Sequence, residues 1–437
     1  MGRPFLLLAV CGFLIMASHG VARPLANALF LQYFDSSDML WGMALVPVLA
    51  TLLLVPYAWA LTRFGPALTC VGSTLLSAVV LVVPWLVPGP VSVFLLYAWK
   101  EVYVVLLVEQ FWALANSTFS VRGGKKAYGP LLLIGGIGAV AGSEVVAWLS
   151  TVWGSWGVYP LSPLLLLPFA GVMVLAHARP RVPAPADPQD ATALTSQPSG
   201  REGRGAHPLE TEARGAGMDR GRGGLGFGLL ASSKFLASIA IVVGLGQVLV
   251  AALDVVFHQE LELTIVGLDE RSAYEGRFWG WVNGGSMVLQ LAAPFLLKVM
   301  SVPLLHLLIP LTHIAAVAAM MAFGGLFAAA AAFSWFKVVD YSIFRSCKEV
   351  LYVPLDFDSR YRAKMVIDMV VYRASKGGAA LLLSALGGVQ LIAARLLPVS
   401  ALAAAGLWLF FALRIGRGCA TLDQGTTELS KGDLRGD

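Results

Sequence analysis

Residues 179–200 read RPRVPAPADPQDATALTSQPSG, and glycines and charges continue the pattern to Gly224. Pro180, Pro183, Pro185, Pro188 and Pro198 break any helix, Arg is nearly balanced by Asp and Glu, and almost nothing there can be buried. The segment 179–230 therefore predicts a flexible linker. Everything outside it has the opposite character. The chain has 437 residues, 57% hydrophobic and only 13% charged, with a mean hydropathy of +0.75. Soluble domains carry about 25% charged residues, so this composition excludes a soluble globule of the same size. A disordered chain and a nucleic-acid binder are excluded too, because both depend on charge. The tract Arg220-Gly221-Arg222-Gly223-Gly224 has a faint RNA-binding look, but a solvated loop explains it better. The chain reads as a polytopic membrane protein.

A membrane-spanning helix needs about 20 mostly apolar residues. Cutting at charges and at Gly/Pro clusters gives spans near 4–32, 38–62, 66–87, 91–115, 128–152 and 157–178 before the linker. After it come spans near 232–257, 274–299, 302–324, 327–355, 365–391 and 396–416. Basic residues test the count, since they concentrate on cytoplasmic ends. With the N-terminus inside, Arg63, Arg122, Lys125, Lys126, Lys298, Arg360, Arg362, Lys364, Arg414 and Arg417 fall inside. Asp35, Asp38, Glu260, Glu262, Asp269 and Glu270 fall outside, with few basic residues such as Arg271 and Arg395.

The expected fold is thus an all-α membrane protein of twelve transmembrane helices in two six-helix bundles. That layout resembles the major facilitator architecture, in which the substrate site lies between the halves near the midplane. The expected domains are an N-terminal bundle (1–178), a cytoplasmic linker (179–230), a C-terminal bundle (231–418) and a cytoplasmic tail (419–437). Both termini are expected in the cytoplasm. The first helix begins almost at Met1, which argues against an organelle transit peptide and for a bacterial inner (plasma) membrane. Cys11, Cys70, Cys347 and Cys419 are too scattered for zinc or redox chemistry. No metal or cofactor is expected, and His306 and His313 lack a carboxylate companion in their span. Gly135-Gly136-Ile137-Gly138 lacks the strand of a dinucleotide-binding loop; Gly138 and Gly142 read as a surface for close helix packing.

Charges within spans are costly and mark function or pairing. His19, Arg23, Lys100, Glu101, Glu109, Glu144 and Asp254 are such residues. Span 10 is the richest, with Lys337, Asp340, Arg345, Lys348 and Glu349, and span 11 adds Asp368, Arg373 and Lys376. Arg345 and Glu349 share a helix face, whereas Lys100 and Glu101 splay about 100° apart and need partners elsewhere. Glu109, Lys337 and Asp368 read as groups near helix ends whose charge reaches the interface. Two readings follow: a wet cavity for an anion, or interhelical ion pairs that only fix packing.

Two motifs carry a family likeness. One is Tyr341-Ser-Ile-Phe-Arg-Ser-Cys-Lys-Glu-Val-Leu-Tyr-Val-Pro-Leu-Asp356, followed by Arg362-Ala-Lys-Met-Val-Ile-Asp368. The other is Glu101, then Phe111-Trp112-Ala113-Leu114-Ala115-Asn116, then Lys125-Lys126-Ala127-Tyr128. Together they resemble the non-mitochondrial ATP/ADP antiporters of plastids and intracellular bacteria. The resemblance implies a twelve-span transporter that binds ATP and ADP and exchanges or imports nucleotides, with cations engaging the phosphates. Lys348, Glu349 and Glu101 match charged motif positions, and Asp254 stands where the family often has Glu. The pattern departs at Asp340, where the family has Lys, and at Arg345, where it has Asp, and the charged cluster ending the family's first span is reduced to Arg23.

The candidate substrate-binding residues are therefore Lys348, Arg345, Arg23 and Lys100, with Glu349, Glu101, Asp254 and Asp340 as pairing or coupling carboxylates. The expected partners are a small anionic solute, implied by the resemblance to be a nucleotide, and the lipid bilayer, with no nucleic acid and the protein a monomer. No spacing suits a nucleophile and base at membrane depth, so an enzyme is not expected. A transporter of another organic anion, a proton-coupled transporter and a non-transporting scaffold remain open alternatives.

Overall fold

Prolines, glycines and serines set where each apolar run becomes a separate helix in the computed structural model. It describes residues 2–119, 121–177, 227–353, 355, 362–386 and 390–433. Helix α1 covers Arg3–Tyr33, α2 Met39–Leu86, α3 Pro90–Thr118, α4 Val121–Trp153, α5 Ser155–Val158 and α6 Leu161–His177. After the linker, of which 179–226 lies outside the described residues, α7 covers Phe227–Ser232, α8 Lys234–Thr264 and α9 Leu268–Val299. Then come α10 Val302–Phe323, α11 Gly325–Val339, a π-helical stretch π1 at Asp340–Phe344 and α12 Arg345–Leu351. A second π-helical stretch, π2, at Val366–Val371 leads into α13 Tyr372–Leu386, and α14 covers Gln390–Asp433.

Local chemistry accounts for the boundaries. Ser233 and Ser301 cap α8 and α10, their side chains accepting from Leu236 N and Leu304 N. Gly154, Gly324 and Gly325 turn the chain at positive φ, which side-chain-bearing residues resist. The 48-residue α2 breaks within itself at Gly65, where φ is +74° and Pro66 follows. At 1.5 Å per residue, α2 is more than twice as long as a hydrocarbon core of about 30 Å. Two spans that the sequence separates thus stack as one kinked element. Span 10 differs in another way, because π1 interrupts it where Asp340 and Tyr341 enter the site.

Ten helices among the described residues are long and apolar enough to cross a membrane. Apolar side chains on the outer surface, including Leu52, Val55, Phe295 and Phe327, are exposed, as a lipid-facing surface requires. Within the first half α1 packs on α3, α4 and α6; within the second, α8 packs on α11, α13 and α14. The halves meet through α4 on α9, α1 on α9, and α2 on α13. Glycine makes two of these joins close. A Cβ on Gly138 or Gly142 would strike the Phe13 or Ala17 carbonyl of α1. One on Gly276 would stand 2.7 Å from the Ser143 carbonyl oxygen of α4.

Candidate functional site

A polar cavity lies where the halves meet. Arg23 and Asn27 reach it from α1, Lys100 and Glu101 from α3, and Gln247 and Asp254 from α8. Tyr97, Trp279, Lys337, Asp340, Tyr341, Tyr372 and Lys376 complete its polar and aromatic lining. Four cations therefore face three carboxylates. The space open to water-sized molecules is about 60 Å³, enough for a few waters and far short of a nucleotide. This conformation is closed around its charges.

The backbone presents Arg23 at a proline. Pro24 has no N–H for the Gly20 carbonyl one turn back; Ser143 Oγ of α4, which lies 2.9 Å from its own Ala139 O, also approaches that carbonyl at 3.4 Å. Arg23 Cζ then lies 4.1 Å above the Trp279 ring, and its Nη2 is 3.7 Å from Glu101 Oε1. Lys100 curls back along its own helix, donating to Tyr97 O at 3.2 Å and covering the Tyr97 ring at 3.3 Å. That curl brings its Nζ within 4.0 Å of Glu101 Oε1, despite the angular separation of neighbouring residues. Lys376 Nζ approaches Glu101 Oε2 at 3.6 Å from the other half. Glu101 is the hub of three cations.

Among the described residues Lys337 makes no salt bridge with a carboxylate; it sits among rings, 5.4 Å from those of Phe333 and Tyr341 and 5.9 Å from that of Trp279. The sequence suggests an interfacial place for this lysine, whereas it lines the cavity. Lys376, likewise not among the named candidates, carries the contact across the join.

Arg345, Lys348 and Glu349 lie elsewhere. About eight residues of helix, or about 12 Å of rise, separate Lys348 from Asp340. Lys348 Nζ pairs with Asp368 Oδ1 at 2.5 Å, Glu349 pairs with Lys364 at 2.5 Å, and Arg345 is exposed. None of the three lines the cavity. Asp254 and Asp340 do.

Behind Asp254 is a second polar group that the sequence reading did not single out. His258 Nδ1 lies 3.0 Å from Asp254 Oδ1, and its Nε2 lies 2.7 Å from Glu275 Oε1. Glu275 Oε2 accepts from Asn27 Nδ2 at 3.1 Å and from Trp279 Nε1 at 3.0 Å. His258 and Glu275 are both 0% exposed. The i, i+4 spacing of Asp254 and His258 was a signal available in the sequence.

One end of the join is sealed. Arg271 donates to Leu31 O at 2.9 Å, Glu262 O at 3.1 Å and Ile265 O at 2.5 Å. Asp269 Oδ1 accepts from Ser155 N at 2.6 Å and Ser155 Oγ at 2.7 Å. Ser36 N donates to Glu262 Oε2 at 3.1 Å. These segments are the ones that charge distribution assigns to the outside.

Residues 277–417 match the family model for the TLC ATP/ADP transporter, a stretch that contains Lys337, Asp340, Tyr341 and Lys376. ADP,ATP carrier protein 1 of Chlamydia pneumoniae is 21% identical over 315 residues, 64% of this chain. The resemblance is to the ATP/ADP transporters. The chain spans 57% of the length of that curated relative. Among solved structures, the nucleoside transporter NupG superposes with a TM-score of 0.65 at 12% identity, covering 95% of this chain and 98% of that one. A bacterial homologue of the iron transporter ferroportin, in an inward-facing state, gives 0.65 at 13% identity over 95% and 98%. The POT family transporter PepTSo gives 0.63 at 12% over 97% and 99%. These likenesses are of fold alone: the chain shares the fold of these three proteins. The ATP/ADP transporter likeness adds the C-terminal half of the cavity.

Proposed function

We propose that this chain is a secondary transporter that exchanges or imports nucleotides of the ATP/ADP type by alternating access. Twelve crossings in two six-helix bundles serve that mechanism. In this count α2 crosses twice, once on each side of Gly65, and π2 with α13 forms the eleventh span. The protein works as a monomer in the inner (plasma) membrane of a bacterium, with both termini in the cytoplasm and no catalytic chemistry of its own.

The observation that carries the reading is the cavity between the halves, with Arg23, Lys100, Lys337 and Lys376 facing Glu101, Asp254 and Asp340. A polyphosphate entering a low-dielectric site must exchange its hydration for cations. Here the cations are already gathered, and Glu101 holds Arg23, Lys100 and Lys376 until the anion arrives. The phosphates take over Arg23 and Lys376 from Glu101, while Trp279, Tyr341 and Tyr372 offer rings to a base. Lys348 and Arg345, with Glu349 beside them, act further along the path toward the cytoplasm, where they meet the anion before or after the central site.

The test is uptake of labelled ATP and ADP by vesicles containing the purified protein, with Lys376→Ala as the variant. Saturable exchange that Lys376→Ala weakens is the expected result. Uptake insensitive to this substitution removes the cavity from the mechanism. A second reading, transport of another organic anion, is favoured by Asp340 and Arg345, whose charges are opposite to the family pattern. Competition by such anions without competition by ATP or ADP would select it.

A further inference from the structure

We propose that Asp254, His258 and Glu275 form a proton-binding site that couples proton movement to alternation of the two halves. The proposal rests on the transporter reading but not on the identity of the anion.

His258 Nδ1 lies 2.7 Å from the Asp254 backbone carbonyl and 3.0 Å from its carboxylate. A carbonyl oxygen can only accept, so Nδ1 carries hydrogen. A neutral ring would then turn the lone pair of Nε2 toward Glu275 Oε1, only 2.7 Å away in a fully buried position. Two lone pairs do not approach to that distance, so the ring or the carboxyl group carries a further proton. The group therefore holds one proton more than two carboxylates and a neutral imidazole. The approach is bent away from the ring N–H axis, so charge rather than a linear hydrogen bond holds the contact.

The position suits coupling. Asp254 lines the cavity, and His258 and Glu275 stand behind it. A proton leaves from Nδ1 to Asp254 Oδ1 and then to cavity water, and the group changes from one negative charge to two. The neutral ring has one N–H for two oxygen-rich faces, so one contact turns repulsive and the ring or Glu275 must move. Glu275 is tied to Asn27 of α1, in the other half, at 3.1 Å. One turn away on α9, Arg271 holds Leu31 O at the seal. Loss of the proton thus strains the joint that keeps this end closed.

Charges from every neighbouring element set the sign. Arg23 faces the group from α1, Lys100 and Glu101 from α3, Lys337 from α11, Asp340 from π1 and Lys376 from α13. An anion that engages these cations leaves the doubly negative group less compensated and favours the loaded form. Anion and proton therefore bind with positive coupling and travel together.

The test uses vesicles loaded with a pH-sensitive dye, with ATP or ADP as the added probe. The wild-type protein should acidify the lumen on nucleotide addition and accumulate nucleotide down an inward proton gradient. His258→Gln and Glu275→Gln should lower gradient-driven accumulation by about tenfold, an ordinary coupling strength, while nucleotide-for-nucleotide exchange persists. A substrate-free arm records the infrared difference between acid and alkaline pH, where both variants should lose an imidazolium or carboxylic-acid band present in the wild type. Unchanged gradient-driven accumulation in the variants, or an unchanged difference spectrum, overturns the proposal. If the band is lost but no nucleotide moves, the proton site stands and the nucleotide assignment falls.

Discussion

Glu101 of α3 and Lys376 of α13 meet at 3.6 Å across the join between the halves. The same carboxyl group also holds Arg23 at 3.7 Å and Lys100 at 4.0 Å. An arriving anion competes with Glu101 for all three cations. Removing the competitor by Glu101→Gln should therefore lower KM and also lower kcat, because release becomes the slow step. Lys376→Ala should act in the opposite direction on KM, raising it about tenfold or more, the worth of one charge-assisted contact. Saturation curves for both variants check the pair.

Arg23 is held by a ring as well as by charge, its Cζ 4.1 Å above Trp279. Arg23→Lys keeps the charge and loses the planar stack and the forked donors. Cation–π contacts are worth about 0.5–2 kcal/mol, so KM should rise by about 2- to 30-fold. Trp279→Leu should produce a similar rise, and the double variant should show less than the sum of the two effects.

Arg271 reaches across one end to the Leu31 carbonyl and fixes its own turn through the Glu262 and Ile265 carbonyls. Arg271→Ala should shift the population toward the conformation open at that end. A cysteine introduced at Leu31 should then react faster with a membrane-impermeant thiol reagent than in the parent protein. An equal rate in both would show that the seal does not depend on Arg271.

Gly276 lets α9 lie against the backbone of α4, where a Cβ would stand 2.7 Å from Ser143 O. Gly276→Val should destabilise the protein by about 1–3 kcal/mol or prevent assembly. Gly72→Ala meets nothing within 4 Å and should leave the protein unchanged or stabilise it slightly. Thermal unfolding in detergent separates the two outcomes.

The helices were largely legible because crossing a bilayer imposes long uncharged runs, and Arg23, Lys100, Glu101 and Asp254 stood out against them. His258 and Glu275 are harder to read. Span 7 is expected to end near 257 and span 8 to begin near 274, whereas α8 continues to Thr264 and α9 starts at Leu268. His258 thus falls just past its expected span and Glu275 at the edge of the next, and they pair across an interface between two helices that no single-helix spacing reveals. Lys337 was misjudged for a related reason. Its place depends on the break at Gly324–Gly325 and on π1, which together turn Lys337, Asp340 and Tyr341 toward one cavity, and neither feature is visible in hydropathy. The Lys348–Asp368 pair joins residues twenty positions apart, beyond any spacing rule for one helix.

The contact of α9 with α4 consists at Gly276 of bare main chain against main chain. That point has no rotamers to exchange as one half rocks on the other, while Met287 against Gly136 and Glu144 against Gly280 supply side chains along the rest of the contact. It serves as a bearing with its adjustable parts set to either side. The energetic decisions of the cycle are thereby concentrated in the charged groups on either side, so the bearing sets how the halves can turn and the charges set when.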